Sequence, residues 1–243
     1  SYSVTGVQTC ALPICNYTEA IQAYDEAIGI DPEYAYAWNG KGSALDYLGN
    51  YTEAIRCYDV AIKLDPEYVN AWNNKGLALY SLENYTESIK AYDEAIRIDP
   101  EDAEVWHNKG KALIMQGKYD EAIQAFDEAI RLDPEFVIAW YDKGIALYNQ
   151  GKYDEAIQAY DEAIRLDPES AMAWTGKGWA LYSLENYTEA IRAYDEAIRI
   201  DPEYANTWMS KGIALHEQGN YSEAIQAFED RKSTRLNSSH RIR

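Results

Sequence analysis

The sequence predicts an all-α solenoid of antiparallel helix hairpins, because three residue registers run through it in phase. Trp38, Trp72, Trp106, Trp140, Trp174 and Trp208 stand 34 residues apart, and so do Pro32, Pro66, Pro100, Pro134, Pro168 and Pro202. Lys-Gly pairs keep the same period, from Lys41-Gly42 through Lys75-Gly76, Lys109-Gly110, Lys143-Gly144 and Lys177-Gly178 to Lys211-Gly212. A fixed period of this size marks units that cannot bury their own apolar faces and must stack on their neighbours.

Residues 35–68 serve as the template. Trp38, Lys41, Gly42, Leu45 and Leu48 recur at spacings of three and four, the face of a first helix. Gly49-Asn50 breaks that helix, since both residues tolerate positive φ. Thr52 is the expected N-cap of the second helix, with Thr18, Thr86, Asp120, Asp154, Thr188 and Ser222 as its equivalents. Ala54, Ile55, Tyr58, Ala61, Ile62 and Leu64 make the second apolar face. Asp65-Pro66 is expected to end this helix and open the next, with proline where its missing N–H does no harm. Gly42, Ala54 and Ala61 let backbones approach, and Trp38, Tyr51 and Tyr58 fill the wider gaps.

On these residues the pattern resembles the tetratricopeptide repeat. The family's large residue is met by Trp38, its small one by Gly42, its second-helix positions by Ala54, Tyr58 and Ala61, and its closing proline by Pro66. The resemblance implies a right-handed superhelical solenoid. It divides the chain into a lone second helix at 15–34, full repeats at 35–68, 69–102, 103–136, 137–170 and 171–204, and an incomplete repeat at 205–229. One departure recurs: Lys41, Lys75, Lys109, Lys143, Lys177 and Lys211 stand where the family usually has leucine. Such a lysine can lay its stem over the core and carry its amine to Asp25 or Glu26 of a neighbouring helix, a structural role rather than ligand binding.

The two ends read differently. Residues 4–14 and 230–240 can be encoded by the two strands of one DNA segment, and both resemble a translated sequencing-library adaptor. The segments 1–14 and 230–243 are therefore set apart as adaptor-derived, and the natural start of the chain is expected to be missing. What remains, 15–229, holds 17 Lys and Arg against 40 Asp and Glu, about −23. That balance repels phosphate, so neither nucleic acid nor an anionic membrane is expected as a partner. No apolar run has membrane-spanning length, and the cytoplasm is the expected compartment. Cys10 lies in the adaptor segment and Cys15 abuts it, leaving Cys57 in a slot that other repeats fill with alanine. No disulfide framework or zinc spacing results.

No catalytic signature is present either. There is no phosphate loop, nucleophile elbow or HExxH pattern. His107 and His216 have no second histidine at metal-ligand spacing, so no metal and no cofactor is expected, and the chain is read as a non-enzyme. The Asp-Glu pairs (Asp25-Glu26, Asp93-Glu94, Asp127-Glu128) recur with the fold, and Arg97, Arg131, Arg165 and Arg199 follow on the same helices as solvated surface charge. Asn-Tyr-Thr/Ser sequons open several second helices, but Lys118-Tyr119-Asp120 and Lys152-Tyr153-Asp154 occupy the same turn, so turn chemistry accounts for them.

The copies differ mainly on one face of the first helix. The resemblance implies that positions two, five, six, nine, twelve and thirteen of each repeat line a concave groove that reads a partner. Position five reads Asn39, Asn73, His107, Tyr141, Thr175 and Met209, and position nine reads Ser43, Leu77, Lys111, Ile145, Trp179 and Ile213. Such drift belongs to a face that reads something or to one that is unconstrained. In the later repeats Ile138, Tyr141, Ile145, Tyr148, Met172, Trp179, Tyr182, Met209 and Ile213 suit an apolar or amphipathic peptide, unless several pack against the adjacent helix. The family's carboxylate clamp of Lys, Arg and Asn is lacking, Lys111 being the one basic residue at positions five, nine and twelve apart from histidine. The expected function is a protein-interaction scaffold binding a peptide or helix in that groove. The rival readings are an array that self-associates end to end and an accessory region of a larger enzyme or signalling protein.

Overall fold

The computed structural model describes residues 12–229, with side chains from residue 16, and among these the chain is helical with no strand. The helices fall into two compact units, divided between Gln116 and Gly117. The first contains α1 (Leu12–Ile30), α2 (Ala35–Tyr47), α3 (Tyr51–Leu64), α4 (Val69–Ser81), α5 (Tyr85–Ile98) and α6 (Ala103–Met115). The second contains α7 (Tyr119–Leu132), α8 (Val137–Asn149), α9 (Tyr153–Leu166), α10 (Ala171–Ser183), α11 (Tyr187–Ile200) and α12 (Ala205–Glu217), followed by a helix at 221–229. Helix α1 starts at Leu12, just inside the segment assigned to adaptor; residues 1–11 and 230–243, with Cys10 and His240, lie outside the described residues.

Within each hairpin the invariant residues do the packing. A Cβ on Gly42 would fall 2.5 Å from Tyr58 Cε1, and one on Gly144 equally close to Tyr160 Cε1, so only glycine lets these tyrosines lie flat across the first helix. Tyr58, Tyr92, Tyr160 and Tyr194 are fully buried as a result, among alanines with no exposed surface such as Ala54 and Ala61. Burial pushes the Tyr58, Tyr92, Tyr160 and Tyr194 hydroxyls well above the usual phenol range, which keeps them neutral hydrogen-bonding groups. Cys57 is buried in the alanine slot, as its register predicts.

The tryptophan and proline registers are joined by one hydrogen bond. In every unit the indole Nε1 donates to the carbonyl of the proline six residues earlier, at 3.0–3.2 Å. This corrects the expectation that proline opens the first helix. Pro66 instead sits in a turn ahead of α4, where Asp65 Oδ1 accepts from Glu67 N at 3.1 Å, and Tyr68 is the residue that leads into the helix. Proline's carbonyl, not its missing N–H, is what the fold uses.

The expected N-caps are also displaced. The second helices begin at Tyr51, Tyr85, Tyr119, Tyr153 and Tyr187, so the N-cap is Asn50, Asn84, Lys118, Lys152 or Asn186 rather than the Thr or Asp two residues later. Asn84 and Asn186 accept from Glu87 N and Glu189 N at 3.4 Å. The Thr and Asp oxygens are used between hairpins instead: Gln116 Nε2 donates to Thr86, Gln150 to Asp120 and Gln218 to Thr188, at 2.7–2.8 Å. The turn before each cap has positive φ, taken by Gly49 (79°) in the template but by Glu83 (58°) and Glu185 (59°) elsewhere, a conformation that costs a non-glycine residue roughly 1–2 kcal/mol.

The lysines in the leucine slot do what their register suggests. Lys41, Lys75, Lys109, Lys143, Lys177 and Lys211 each place Nζ 2.6 Å from the Asp of the preceding second helix, from Asp25 through to Asp195. Each ammonium also lies 5.3–5.9 Å from the ring centroid of its own repeat's tryptophan. The stem covers the core and the charge is neutralised at its edge. On the outer surface Glu94–Arg97, Glu128–Arg131, Glu162–Arg165 and Glu196–Arg199 pair at 2.8 Å, exposed contacts that water screens and that add little to stability. Among the described residues no helix is long and apolar enough to cross a membrane.

Candidate functional site

Positions five and six of neighbouring first helices meet, and the side chains there decide what each face can offer. In the first unit the meeting is between amides. Asn74 Nδ2 on α4 donates to Asn39 Oδ1 on α2 at 3.0 Å and to Ser43 Oγ at 3.4 Å. Asn39 Nδ2 in turn donates to Tyr68 OH at 3.3 Å. One seam further on, Asn108 Nδ2 on α6 donates to Asn73 Oδ1 at 3.3 Å. Asn39 is 8% exposed and His107 5%, so both residues expected to line the groove lie in the seam, and Asn73 is tied to it. Lys111 lies over the Tyr80 ring at 5.7 Å.

Asp46 stands apart on this face. Its Oδ1 is enclosed and has no hydrogen-bond partner, and burial raises its carboxyl above the usual range.

The second unit closes its seams with hydroxyls and aromatic rings. Thr175 and Thr207 share a hydrogen bond at 3.0 Å between α10 and α12, and Trp179 Nε1 donates to Ser210 Oγ at 3.1 Å. Ser183 Oγ donates to Tyr148 OH at 3.3 Å between α10 and α8. Tyr148 and Tyr182 lean on Tyr153 and Tyr187, with ring centroids 5.4 Å apart in both pairs. Tyr141 packs on Tyr160 at 5.9 Å. Burial, with the charge of Asp142 adding to it, pushes the Tyr141 phenol up to about 12.

The expected groove residues therefore separate into two groups. Tyr141, Ile145, Tyr148, Trp179, Tyr182 and Met209 are half-buried, and Trp179 and Tyr182 belong to the packing around Leu181 and Tyr194. Met172 (53%), Ile138 (44%) and Ile213 (39%) stay exposed. Enumeration by residue type missed Asn74, Asn108, Ser183 and Ser210 at positions six and thirteen. The signal that could have found them is complementarity: an amide or hydroxyl at position six or thirteen of one repeat faces a polar group at five, nine or twelve of the repeat before it.

Elsewhere the surface offers shallow clefts between the helices of one hairpin. The cleft lined by Trp140, Lys143, Glu155, Gln158, Asp161 and Glu162 has a volume of about 480 Å³. No group of three or more metal-ligating side chains occurs among the described residues.

Comparison with known proteins supplies a frame for this geometry. A family model described as Tetratricopeptide repeat matches residues 39–103, 107–171, 141–205 and 175–233, and a second of that description matches 16–34. YrrB, described as a TPR protein with an unusual peptide-binding site, is 25% identical, with a TM-score of 0.66 over 82% of this chain and 99% of its own. MamA from Desulfovibrio magneticus RS-1, residues 41 to the end, is 22% identical, with a TM-score of 0.64 over 70% of this chain and 96% of its own. A chain of the APC/C hetero-tetramer Cut9-Hcn1 is 18% identical, with a TM-score of 0.70 over 91% of this chain and 44% of its own. At identities this low the last two show likeness of fold alone. A comparison with curated protein sequences gives no match.

Proposed function

Because this chain belongs to the tetratricopeptide repeat family, we propose that it is a non-enzymatic protein-interaction scaffold that holds a peptide or helical segment in a groove formed by α8, α10 and α12. One observation carries the reading: Ile138, Met172 and Ile213 remain exposed, while Tyr141, Ile145, Tyr148, Trp179, Tyr182 and Met209 of the same helices are half-buried. Apolar side chains left in water gain by being covered. Full burial of such a side chain contributes about 1.5–3 kcal/mol, so covering the exposed half of each is worth roughly 1 kcal/mol. The peptide-binding site named for YrrB, which resembles this chain over most of its length, supports the same class of ligand.

Trp179 and Tyr182 are poor residues on which to test this, because each also holds the seam or the core. Selection of a random dodecapeptide library on the full chain is the direct experiment. The expected result is a set of binders that lose about tenfold in affinity, 1.4 kcal/mol, when Ile138→Ser and Met172→Ser are combined with helical content unchanged. A library that yields no binders, or binders indifferent to that pair, overturns the groove.

A further inference from the structure

Resting on the groove reading above, we infer that the segment held on α8, α10 and α12 is cationic and amphipathic, its apolar residues covering Ile138, Met172 and Ile213 and its Lys or Arg residues facing an acidic rim. The first argument is where the positive charge has gone. None of the six groove positions on any of these three helices carries Lys or Arg. The lysines that the helices do contain, Lys143, Lys177 and Lys211, are drawn away to Asp127, Asp161 and Asp195 of the second helices at 2.6 Å. At the groove positions of these helices a partner's carboxylate would meet no Lys or Arg.

The second argument is what borders the exposed residues. Glu135 lies three residues before Ile138 in an exposed turn, and Asp142 follows Tyr141 on α8, whereas Glu169, three residues before Met172, is already paired with Arg199 of α11 at 3.4 Å. Asp142 already raises the Tyr141 phenol, so its charge reaches the half-buried part of the face. An apolar strip edged by carboxylates is complementary to aliphatic residues flanked by ammonium or guanidinium groups. The wider field acts in the same direction, because residues 15–229 carry about −23 and steer cations inward. Three first helices packed side by side span about 20 Å, the length of a helical peptide of roughly 14 residues.

The test uses three designed peptides of that length with the full chain: a Leu/Lys amphipathic sequence, its Leu/Glu counterpart, and a Ser/Lys sequence of equal charge. Fluorescence anisotropy should show the Leu/Lys peptide binding at least about tenfold tighter than either control, with affinity falling as salt is raised. Ile138→Ser with Met172→Ser should remove most of that binding, and Glu135→Gln should narrow the gap between the Lys and Glu peptides. If Leu/Glu binds as well as Leu/Lys and the serine pair abolishes both, the charge assignment is overturned and the groove survives. If Ser/Lys equals Leu/Lys, or the serine pair changes nothing, attraction is to bulk acidity and the inference falls. Failure of all three peptides to bind also overturns it, and the library selection then judges the groove separately.

Discussion

The first helices of the two units are built on one frame and close their seams with different chemistry. In α2, α4 and α6 positions five and six are spent on each other, Asn39 with Asn74 and Asn73 with Asn108, while Tyr36, Tyr47 and Met115 at positions two and thirteen stay exposed. In α8, α10 and α12 the corresponding seams close with hydroxyls and a tryptophan, and aliphatic side chains are left over in water. Variation along a repeat array thus has two sources. Some positions drift in matched pairs because they are internal contacts, and only the remainder is available to a partner. The amide seam of the first unit belongs to the first kind, and the strip of Ile138, Met172 and Ile213 is what remains in the second.

The sharpest way to break this comparison is to show that the frames are unequal. Tyr58 and Tyr160 fill the same slot against Gly42 and Gly144, so Tyr58→Ala and Tyr160→Ala should each cost about 3–5 kcal/mol. Hydrogen exchange resolved by hairpin measures the loss locally, as an array of nearest-neighbour contacts requires. A cost that differs between the two by more than a factor of two would mean the units are not built alike.

The seams should respond differently from the frame and from each other. Asn39→Ala strips Asn74 of the nearer of its two acceptors and Tyr68 of its donor, and weakening such half-buried pairs costs about 1–3 kcal/mol. Replacing both members of the hydroxyl pair, Thr175→Val with Thr207→Val, keeps shape and removes donor and acceptor together, so stability should stay within about 0.5 kcal/mol. Thermal melts of the two variants decide it, and a valine pair as damaging as Asn39→Ala would erase the distinction drawn here.

Much of this was legible in the sequence, for a physical reason. Trp38, Gly42, Tyr58 and Lys41 act through contacts within a hairpin or to the helix just before it, so a fixed period is enough to place them. The lysine in the leucine slot was readable because its stem reaches the acids of the preceding helix, although the register left Asp25 and Glu26 both open and the structure selects Asp25. Backbone detail was not readable: that Pro32 serves Trp38 through its carbonyl depends on a turn whose course no side-chain pattern reports. The caps failed likewise, since Thr86 is two residues too late to cap and is recruited by Gln116 from a neighbouring hairpin. On the candidate face, burial of Asn39 and His107 depends on what stands opposite in the adjoining repeat, and that is invisible to a residue considered in its own column.

Asp46 gives the smallest expected effect and the one with a sign that pH can reverse. Its equivalents Tyr80, Tyr148 and Tyr182 each lean on a tyrosine of the next helix, whereas its own enclosed oxygen has no hydrogen-bond partner. Burial raises its carboxyl in the folded chain above the value it has unfolded, so the folded state binds the proton more tightly. The carboxyl is therefore neutral and harmless below the ordinary carboxylate range. As pH rises from that range through the raised value, stability is lost, and at neutral pH the cost of the buried charge is fully present. Asp46→Asn removes the ionisation while keeping the shape, so its melting temperature should exceed that of the parent chain at pH 7 and match it at pH 3. A difference of the same size at both values would trace the effect to packing, and the lone carboxylate would then cease to distinguish the first unit's face from the second's.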